Sequence, residues 1–215
     1  MPENAHKRLL PVGAEIVLAT HNKGKIREFM KLLAPYNIKV HSAGDFRLAE
    51  PDETEDNFEG NAALKAFAAA KATNLPALAD DSGFCVAALG GLPGIYSARW
   101  AGPERDMKLA MQRVHDEMVA SNSNDQSGSF VTVLCLAWPD GVKQFVRAEV
   151  AGRICWPPRG EQGHGYDPMF IPEGQNPDCR EDERTFGEMS DEEKNRYSHR
   201  AVAIHRFIAE CLEKK

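Results

Sequence analysis

One stretch constrains the fold more than any other, because a short apolar run leads there into two adjacent carboxylates and then into a glycine-rich segment. The run is Ala77-Leu78-Ala79, Asp80 and Asp81 follow it, and the segment continues to Gly102. A buried strand with acids at its end is typical of α/β enzymes, which place metal ions or bases there. Successive strand residues face opposite sides, so Asp80 and Asp81 are expected to do different jobs. The alternative interpretation of Asp-Asp-Ser-Gly is an Asx turn or a helix cap.

Composition and charge exclude several classes of protein. The chain has 215 residues, of which 42% are hydrophobic, as expected for one large globular domain or two small lobes. Its formal net charge of −6 argues against broad contact with nucleic acid, and no apolar run reaches membrane-spanning length. We therefore expect neither a nucleic-acid nor a membrane partner. The five cysteines are scattered without C-x-x-C spacing, which predicts reduced thiols and a cytoplasmic protein.

The first elements form a strand, a polar loop and a helix. The apolar run 16–19 predicts a strand, T-H-N-K-G-K (20–25) is the loop, and helical spacing follows in Ile26, Phe29, Met30 and Leu33. Lysines at the start of a helix oppose its macrodipole, and an anion bound there would remove the conflict. A solvated turn with Asn22 as N-cap explains the same letters. This segment alone leaves both interpretations open. Residues 1–14 are predicted to be a tail before a single two-lobed domain over 15–215.

The second group of signals lies around a helix predicted from Phe58 to Thr73. Asn57 is its expected cap, and Asn61 and Lys65 point the same way because they are four residues apart. Lys65 can then be an ordinary exposed lysine or can meet a phosphate. The acidic run 50–59 before the helix is a solvated loop or contributes a carboxylate to a divalent cation. A further helix is predicted to begin at Pro103, with a buried apolar stripe formed by Leu109, Ala110, Val114 and Met118.

The last third of the chain carries a second informative loop. Residues 121–129 are polar and are predicted to separate the lobes, and a hairpin is expected around Pro139-Asp140-Gly141. The glycines of G-E-Q-G-H-G-Y-D-P (160–168) suggest a backbone shaped around a flat or charged group, with a plain turn as the alternative. A capping box at Ser190 predicts a short helix. Ser198-His199-Arg200 then opens a terminal helix with cationic groups at its dipole-positive end.

Taken together, these motifs resemble the inosine triphosphate pyrophosphatase family, which acts on non-canonical purine nucleoside triphosphates. The matching segments are T-H-N-K-G-K (20–25), F-E-G-N-A-A-L-K-A (58–66), A-D-D-S-G (79–83), P-G-I-Y-S-A-R (93–99), G-H-G-Y-D-P (163–168) and E-K-N-R-Y-S-H-R (193–200). They occur in the family's order and span nearly the whole chain. The resemblance implies an elongated, two-lobed α/β fold with a long twisted mixed sheet, flanking helices and a central substrate cleft. Members of the family are typically homodimers.

The resemblance also implies roles for individual residues. Asp81 corresponds to the catalytic acid and Mg²⁺ ligand, Glu53 to a second metal-side carboxylate and Lys65 to a catalytic, phosphate-facing lysine. Substrate contacts are implied for the triphosphate-binding loop Thr20, His21, Asn22, Lys23, Gly24 and Lys25, for Ser82, and for the purine-holding residues His164, Gly165, Tyr166, Asp167, Lys194, His199 and Arg200. His164 departs from the phenylalanine common at this position, which concerns base preference.

The expected activity is Mg²⁺-dependent hydrolysis of ITP, dITP, XTP or dXTP to the monophosphate and pyrophosphate. In physical terms, lysines, helix amides and Mg²⁺ would neutralise the triphosphate, and Asp81 would orient or deprotonate a water. Two alternatives remain at this point. One is a triphosphate pyrophosphatase with other base selectivity, and the other is a non-catalytic nucleotide-binding module.

Overall fold

The computed structural model describes residues 8–175 and 182–213, which form a mixed seven-stranded sheet with α-helices. The strands are β1 (Glu15–Leu18), β2 (Lys39–Ser42), β3 (Ala77–Val86), β4 (Pro93–Gly94), β5 (Ser127–Ala137), β6 (Lys143–Ile154) and β7 (Phe170–Pro172). The helices are α1 (Lys23–Leu33), α2 (Phe58–Thr73), α3 (Met107–Ala120), α4 (Asp191–Lys194) and α5 (His199–Cys211). The strand order is β2-β1-β3-β5-β6-β7, and β4 pairs with β3. β1 is parallel to β2 and β3, whereas β3–β4 and β6–β7 are antiparallel. The predicted α/β class with a mixed sheet is confirmed.

The predicted order of strand, loop and helix at the start of the chain is confirmed, but α1 begins at Lys23, so residues 23–25 of the predicted loop form its first turn. The side-chain oxygen of Asn22 caps α1 by accepting hydrogen bonds from the amides of Gly24 and Lys25, at 2.9 and 3.2 Å. Phe29 and Leu33 are buried, but Met30 is exposed. The buried stripe of α1 is therefore narrower than the apolar spacing predicted.

α2 also begins where the sequence predicts it. The side chain of Asn57 accepts a hydrogen bond from the Gly60 amide at 2.7 Å. Asn61 and Lys65 share a buried face of the helix, as their spacing indicates. The Asn61 side chain accepts from the Glu55 amide at 3.1 Å and donates to the Glu55 carbonyl at 3.3 Å. These two bonds fix the loop that carries Glu53 to the helix.

The structure corrects the prediction for the two adjacent carboxylates. β3 does not end at Asp80 and Asp81 but continues to Val86, so both lie in mid-strand and neither a strand end nor a turn forms there. The continuation is stabilised by pairing with β4 at Phe84 and Cys85, and by complete burial of the Phe84 side chain. Tertiary pairing of this kind commonly overrides the turn preference of a short polar sequence.

The later elements match the sequence with two exceptions. The hairpin of β5 and β6, the capping box at Ser190 and the start of the terminal helix are all found. The third helix begins at Met107 and not near Pro103, because Asp106 caps it by accepting from the amides of residues 108 and 109. Leu109, predicted to be part of its core stripe, is exposed.

The chain divides into two compact units. The first comprises the described residues up to Asp81, Val133–Arg147 and the described residues from Val202 onward. The second comprises Ser82–Thr132 and the described residues of Ala148–Ala201. Residues 121–129 lie inside the second unit, so the boundary predicted there is wrong. The second unit has its own core of large aromatic side chains, including Phe84, Phe130, Tyr166, Phe170 and Phe186.

The predicted tail over residues 1–14 falls partly outside the described residues, since these begin at residue 8. Cys179, one of the five cysteines, lies in the gap between residues 175 and 182. Within the described part, Leu10 is buried, and it pairs with Leu212 through backbone hydrogen bonds from Leu10 to Cys211 and from Glu213 to Leu10. Among the described helices, none combines the length and apolar character that a membrane crossing requires.

Candidate functional site

Five charged side chains of the first unit form the acid–lysine cluster: Lys25, Glu53, Lys65, Asp80 and Asp81. The ammonium of Lys25 lies 2.9 Å from Oδ2 of Asp80. The ammonium of Lys65 lies 3.0 Å from Oδ1 of Asp81 and 2.6 Å from Oε1 of Glu53. The alternation of β3 therefore gives each aspartate its own lysine, as the sequence predicts when it assigns them different jobs.

Burial determines how the cluster holds protons. It raises the pKa of Asp81 to about 6, an increase that the Glu53 charge supports and the Lys65 charge opposes. Burial would lower the pKa of Lys65, but the charges of Asp81, Asp80 and Glu53 outweigh it and raise that pKa. Burial would also raise the pKa of Glu53, but the hydrogen bond and charge of Lys65 outweigh it and lower that pKa. Lys65 is therefore a permanent cation, whereas Asp81 can gain or lose a proton near neutral pH.

The first turn of α1 contributes Lys25 to the cluster, and the loop before the helix uses its polar groups locally. Oγ1 of Thr20 accepts the amide of Asn22 at 3.2 Å, and Asn22 in turn caps the helix. Nε2 of His21 lies 2.8 Å from the carbonyl oxygen of Leu48, so its ring is tied to another loop. The side chain of Lys23 is exposed. Binding of a triphosphate by the residues of this loop stays a prediction.

The two predicted metal ligands meet at the Lys65 ammonium. Within residues 8–175 and 182–213, no three His, Cys, Asp or Glu side chains are gathered as a ready metal site. Oδ2 of Asp81 is buried, and the described residues offer it no hydrogen-bond partner. Carboxylate oxygens are the ligands that Mg²⁺ prefers, and three carboxylates against two lysines leave the cluster with one negative charge. The residues present therefore fit a hard divalent cation bound through Glu53 and Asp81.

The second unit holds a separate buried ion pair. Oδ2 of Asp167 accepts hydrogen bonds from the Lys194 ammonium and from the His164 amide, each at 2.6 Å. Asp167 and Lys194 are 1% and 6% exposed, so this pair is almost fully removed from water. Gly163 and Gly165 have φ values of +75° and +69°, and a Cβ at Gly163 would collide with the Asp167 carboxylate. The glycines of the 160–168 loop thus allow the chain to fold tightly over Asp167, with the His164 side chain exposed.

Aromatic rings pack against two of the predicted purine-binding side chains, His199 and Lys194. The His199 ring stacks on Phe130 with centroids 4.8 Å apart and an interplanar angle of 9°. The Lys194 ammonium lies 5.5 Å from the centre of the Phe186 ring. His199 and Arg200 are buried in the first turn of α5, where Oγ of Ser198 accepts the amide of residue 201 at 3.1 Å.

Tyr166 and Ser82 have packing partners of their own. The Tyr166 ring stacks on Phe84 at 4.9 Å, its hydroxyl donates to the Ser97 carbonyl at 2.8 Å, and burial raises the pKa of that hydroxyl. Oγ of Ser82 lies 2.8 Å from Oγ1 of Thr132, which is fully buried. These side chains are anchored structurally, and their roles in substrate binding stay predictions.

Sequence reasoning did not predict the roles of three contributors, Asp80, Asn61 and Thr132. The sequence left the role of Asp80 open, and its pairing with Lys25 follows from strand alternation together with the position of α1. Asn61 attracted notice only for its spacing from Lys65, yet its amide fixes the Glu53 loop. Thr132 is an ordinary strand residue in the sequence, and no local signal distinguishes it.

Comparison with known proteins identifies the family. The model of the Ham1 family matches residues 16–210. The chain belongs to the Ham1 family. This Ham1 chain is 57% identical to a Gluconobacter oxydans protein named dITP/XTP pyrophosphatase, over 96% of this chain and 95% of that protein. It is 48% identical to a Bradyrhizobium protein of the same name, over 99% of both.

A solved structure of a Ham1 protein from Coxiella burnetii has the same fold. It superposes with a TM-score of 0.83 at 36% identity, over 91% of this chain and 97% of that chain. The resemblance inferred from the six sequence motifs is thereby confirmed for the Ham1 chain.

Proposed function

We propose that this protein hydrolyses non-canonical purine nucleoside triphosphates, ITP or dITP and XTP or dXTP, to the monophosphate and pyrophosphate. Relatives named dITP/XTP pyrophosphatase match nearly the whole chain, which supports the substrate class. The observation that carries the chemistry is the buried Lys65 ammonium between the carboxylates of Glu53 and Asp81. A charge group of this composition is suited to a metal-bound polyphosphate and has little use in a purely structural core.

In the proposed reaction, the acid–lysine cluster handles the triphosphate. Lys25 and Lys65 donate hydrogen bonds to phosphate oxygens and offset their charge. Asp81 orients the attacking water and accepts its proton, which a carboxylate with a raised pKa does more readily than an ordinary one. The water attacks phosphorus in line with the anhydride bond between the α and β phosphates, this bond breaks, and pyrophosphate leaves.

Glu53 and Asp81 are the proposed ligands of Mg²⁺. When bound, this ion neutralises phosphate charge and polarises the phosphorus–oxygen bonds. The orphaned Oδ2 of Asp81 and the oxygen-only donor set support this assignment.

Base selection is assigned to the second unit. Lys194, His199 and Arg200 are hydrogen-bond donors, which suits the 6-oxo group of hypoxanthine and xanthine. The 6-amino group of adenine is itself a donor and cannot accept from these side chains, at a cost in transition-state binding. The 163–167 loop, with His164, is proposed to contact the base.

The proposal includes a cytoplasmic homodimer. The scattered, free cysteines Cys85, Cys135, Cys155 and Cys211 support a reducing compartment. The homodimer is supported by the family resemblance.

A turnover panel tests the proposed function. Purified protein is incubated with Mg²⁺ and, separately, ITP, XTP, ATP, GTP and pyrimidine triphosphates, and pyrophosphate and orthophosphate are measured apart. We expect pyrophosphate from ITP and XTP, loss of turnover with retained nucleotide binding in Asp81→Asn, and unchanged turnover in the exposed-carboxylate control Asp116→Asn.

Each alternative gives its own result in this panel. Preferred hydrolysis of pyrimidine or canonical triphosphates indicates a different base selectivity. Binding of nucleotide with no product from any triphosphate indicates a non-catalytic module. Retained hydrolysis in Asp81→Asn removes Asp81 from the mechanism.

A further inference from the structure

The Lys65 ammonium occupies the position where the two proposed metal ligands come together. It contacts Glu53 at 2.6 Å and Asp81 at 3.0 Å, and the side chains of Lys65 and Asp81 are only 7% and 8% exposed. An ammonium of the protein thus contacts the same two carboxylates that would hold a divalent ion. The second oxygen of Asp81, Oδ2, is buried with no hydrogen-bond partner in the described chain.

The ammonium and a divalent ion compete for these carboxylates, even if the ion uses Oδ2 of Asp81 and leaves Oδ1 to Lys65. Mg²⁺ binds carboxylate oxygens at about 2.0–2.1 Å, so it would lie within a few ångströms of an ammonium that holds the same groups. At that separation, in a site removed from water, the repulsion between the two cations is strong. The metal is therefore bound less tightly while Lys65 holds the carboxylates than after Lys65 has released them.

A triphosphate changes this balance. The cluster of Lys25, Glu53, Lys65, Asp80 and Asp81 carries one net negative charge, so it repels a free triphosphate and holds Lys65 in place. Phosphate oxygens are alternative acceptors for the ammonium, and lysine has a long flexible stem with three rotatable donors. Metal and triphosphate together therefore give the carboxylates and the ammonium new partners, whereas either one alone leaves a conflict.

We propose that Lys65 is an internal placeholder for the metal, so that the nucleotide-free protein binds a divalent cation only weakly. The cation is bound tightly when a triphosphate is present to receive the displaced ammonium. This inference rests on the proposed function and adds the order of events at its site. Because coupling between two ligands is reciprocal, the triphosphate must strengthen cation binding by the same factor as the cation strengthens triphosphate binding.

The test measures cation binding without any reaction. Mn²⁺, a spectroscopic substitute for Mg²⁺, is titrated into nucleotide-free full-length protein and followed by electron paramagnetic resonance. Lys65→Met removes the ammonium and keeps the length of the side chain, and Lys71→Met is the matched control, because Lys71 is an exposed lysine of the same helix. We expect Mn²⁺ to bind Lys65→Met at least about tenfold more tightly than it binds wild type or Lys71→Met.

A second measurement uses the wild-type protein and does not depend on the folding of a variant. In equilibrium dialysis with inorganic triphosphate on both sides, we expect excess Mn²⁺ on the protein side, and no comparable excess without triphosphate. Equal Mn²⁺ affinity in wild type and Lys65→Met overturns the proposal. So does tight Mn²⁺ binding by nucleotide-free wild type that is lost in Glu53→Gln.

These outcomes are separate from those of the turnover panel. If the panel shows another substrate while the Mn²⁺ results hold, the placeholder stands and the assigned substrate is wrong. If the panel gives pyrophosphate from ITP while wild type and Lys65→Met bind Mn²⁺ equally, the function stands and the placeholder is wrong.

Discussion

Replacing Asp167 by asparagine removes the negative charge that faces the Lys194 ammonium at 2.6 Å. The side chains of the two residues are 2% and 8% exposed, so water cannot take over the lost interaction. Breaking a buried ion pair at one partner typically costs about 3–5 kcal/mol, because an uncompensated charge stays in the interior. In the variant, the His164 amide and the Lys194 ammonium compete for the one acceptor oxygen that asparagine keeps. We therefore expect the free energy of unfolding to fall by at least about 3 kcal/mol, the lower end of that range.

The assay is urea unfolding at neutral pH of wild type, Asp167→Asn, Lys194→Met and the double variant. Each single variant should be destabilised by about 3 kcal/mol or more, and the double variant by clearly less than the sum, because it buries no unpaired charge. Glu117→Ala is the control, since the Arg113–Glu117 pair is half exposed with a separation of 3.8 Å and should contribute less than about 1 kcal/mol. Single variants no less stable than Glu117→Ala, or strictly additive effects, would refute the reasoning.

Three further predictions concern the two clusters. The folded state holds a proton on Asp81 up to pH about 6, whereas the unfolded chain releases it near pH 3.8. Between these two pH values, the unfolding free energy of wild type, measured in chelator-treated buffer relative to Asp81→Asn, should fall by up to about 3 kcal/mol as the pH rises. A difference between the two proteins that does not change with pH contradicts this prediction. Lys25→Ala should raise KM for the triphosphate by about tenfold or more, measured by steady-state kinetics, and an unchanged KM removes Lys25 from the site. Gly163→Ala should be destabilised by at least about 1 kcal/mol more than Gly165→Ala in thermal melts, because both glycines have positive φ but only Gly163 faces the Asp167 carboxylate. Equal losses of stability in the two variants would count against a collision between the added Cβ and that carboxylate.

Much of the local structure could be predicted, because helix caps act within three residues of the chain. Asn22, Asn57 and Ser190 each accept the amides that their positions in the sequence indicate. Apolar stripes were less reliable, since Met30 and Leu109 fit the helical spacing but are exposed. Spacing identifies a face of a helix, whereas burial depends on what packs against it.

The segment at Asp80 and Asp81 shows where local reasoning fails. Its letters favour a turn, and the apolar run before it suggested a strand that stops. The strand continues because β4 pairs with Phe84 and Cys85, and this partner lies beyond an intervening loop. The free energy of strand pairing depends on that partner and not on the turn preference of four residues.

The sequence by itself determined the α/β class, the helix starts, the family motifs and the residue types that can serve a metal and a phosphate. Only the tertiary structure decided that Asp80 holds Lys25, that Lys65 bridges Glu53 and Asp81, and that Tyr166 is packed against Phe84. The physical reason is how far apart in the chain the interacting residues are. Caps and periodicity act between neighbours in the chain, whereas ion pairing and burial act between side chains that meet only after folding, at distances and exposures that no local pattern contains.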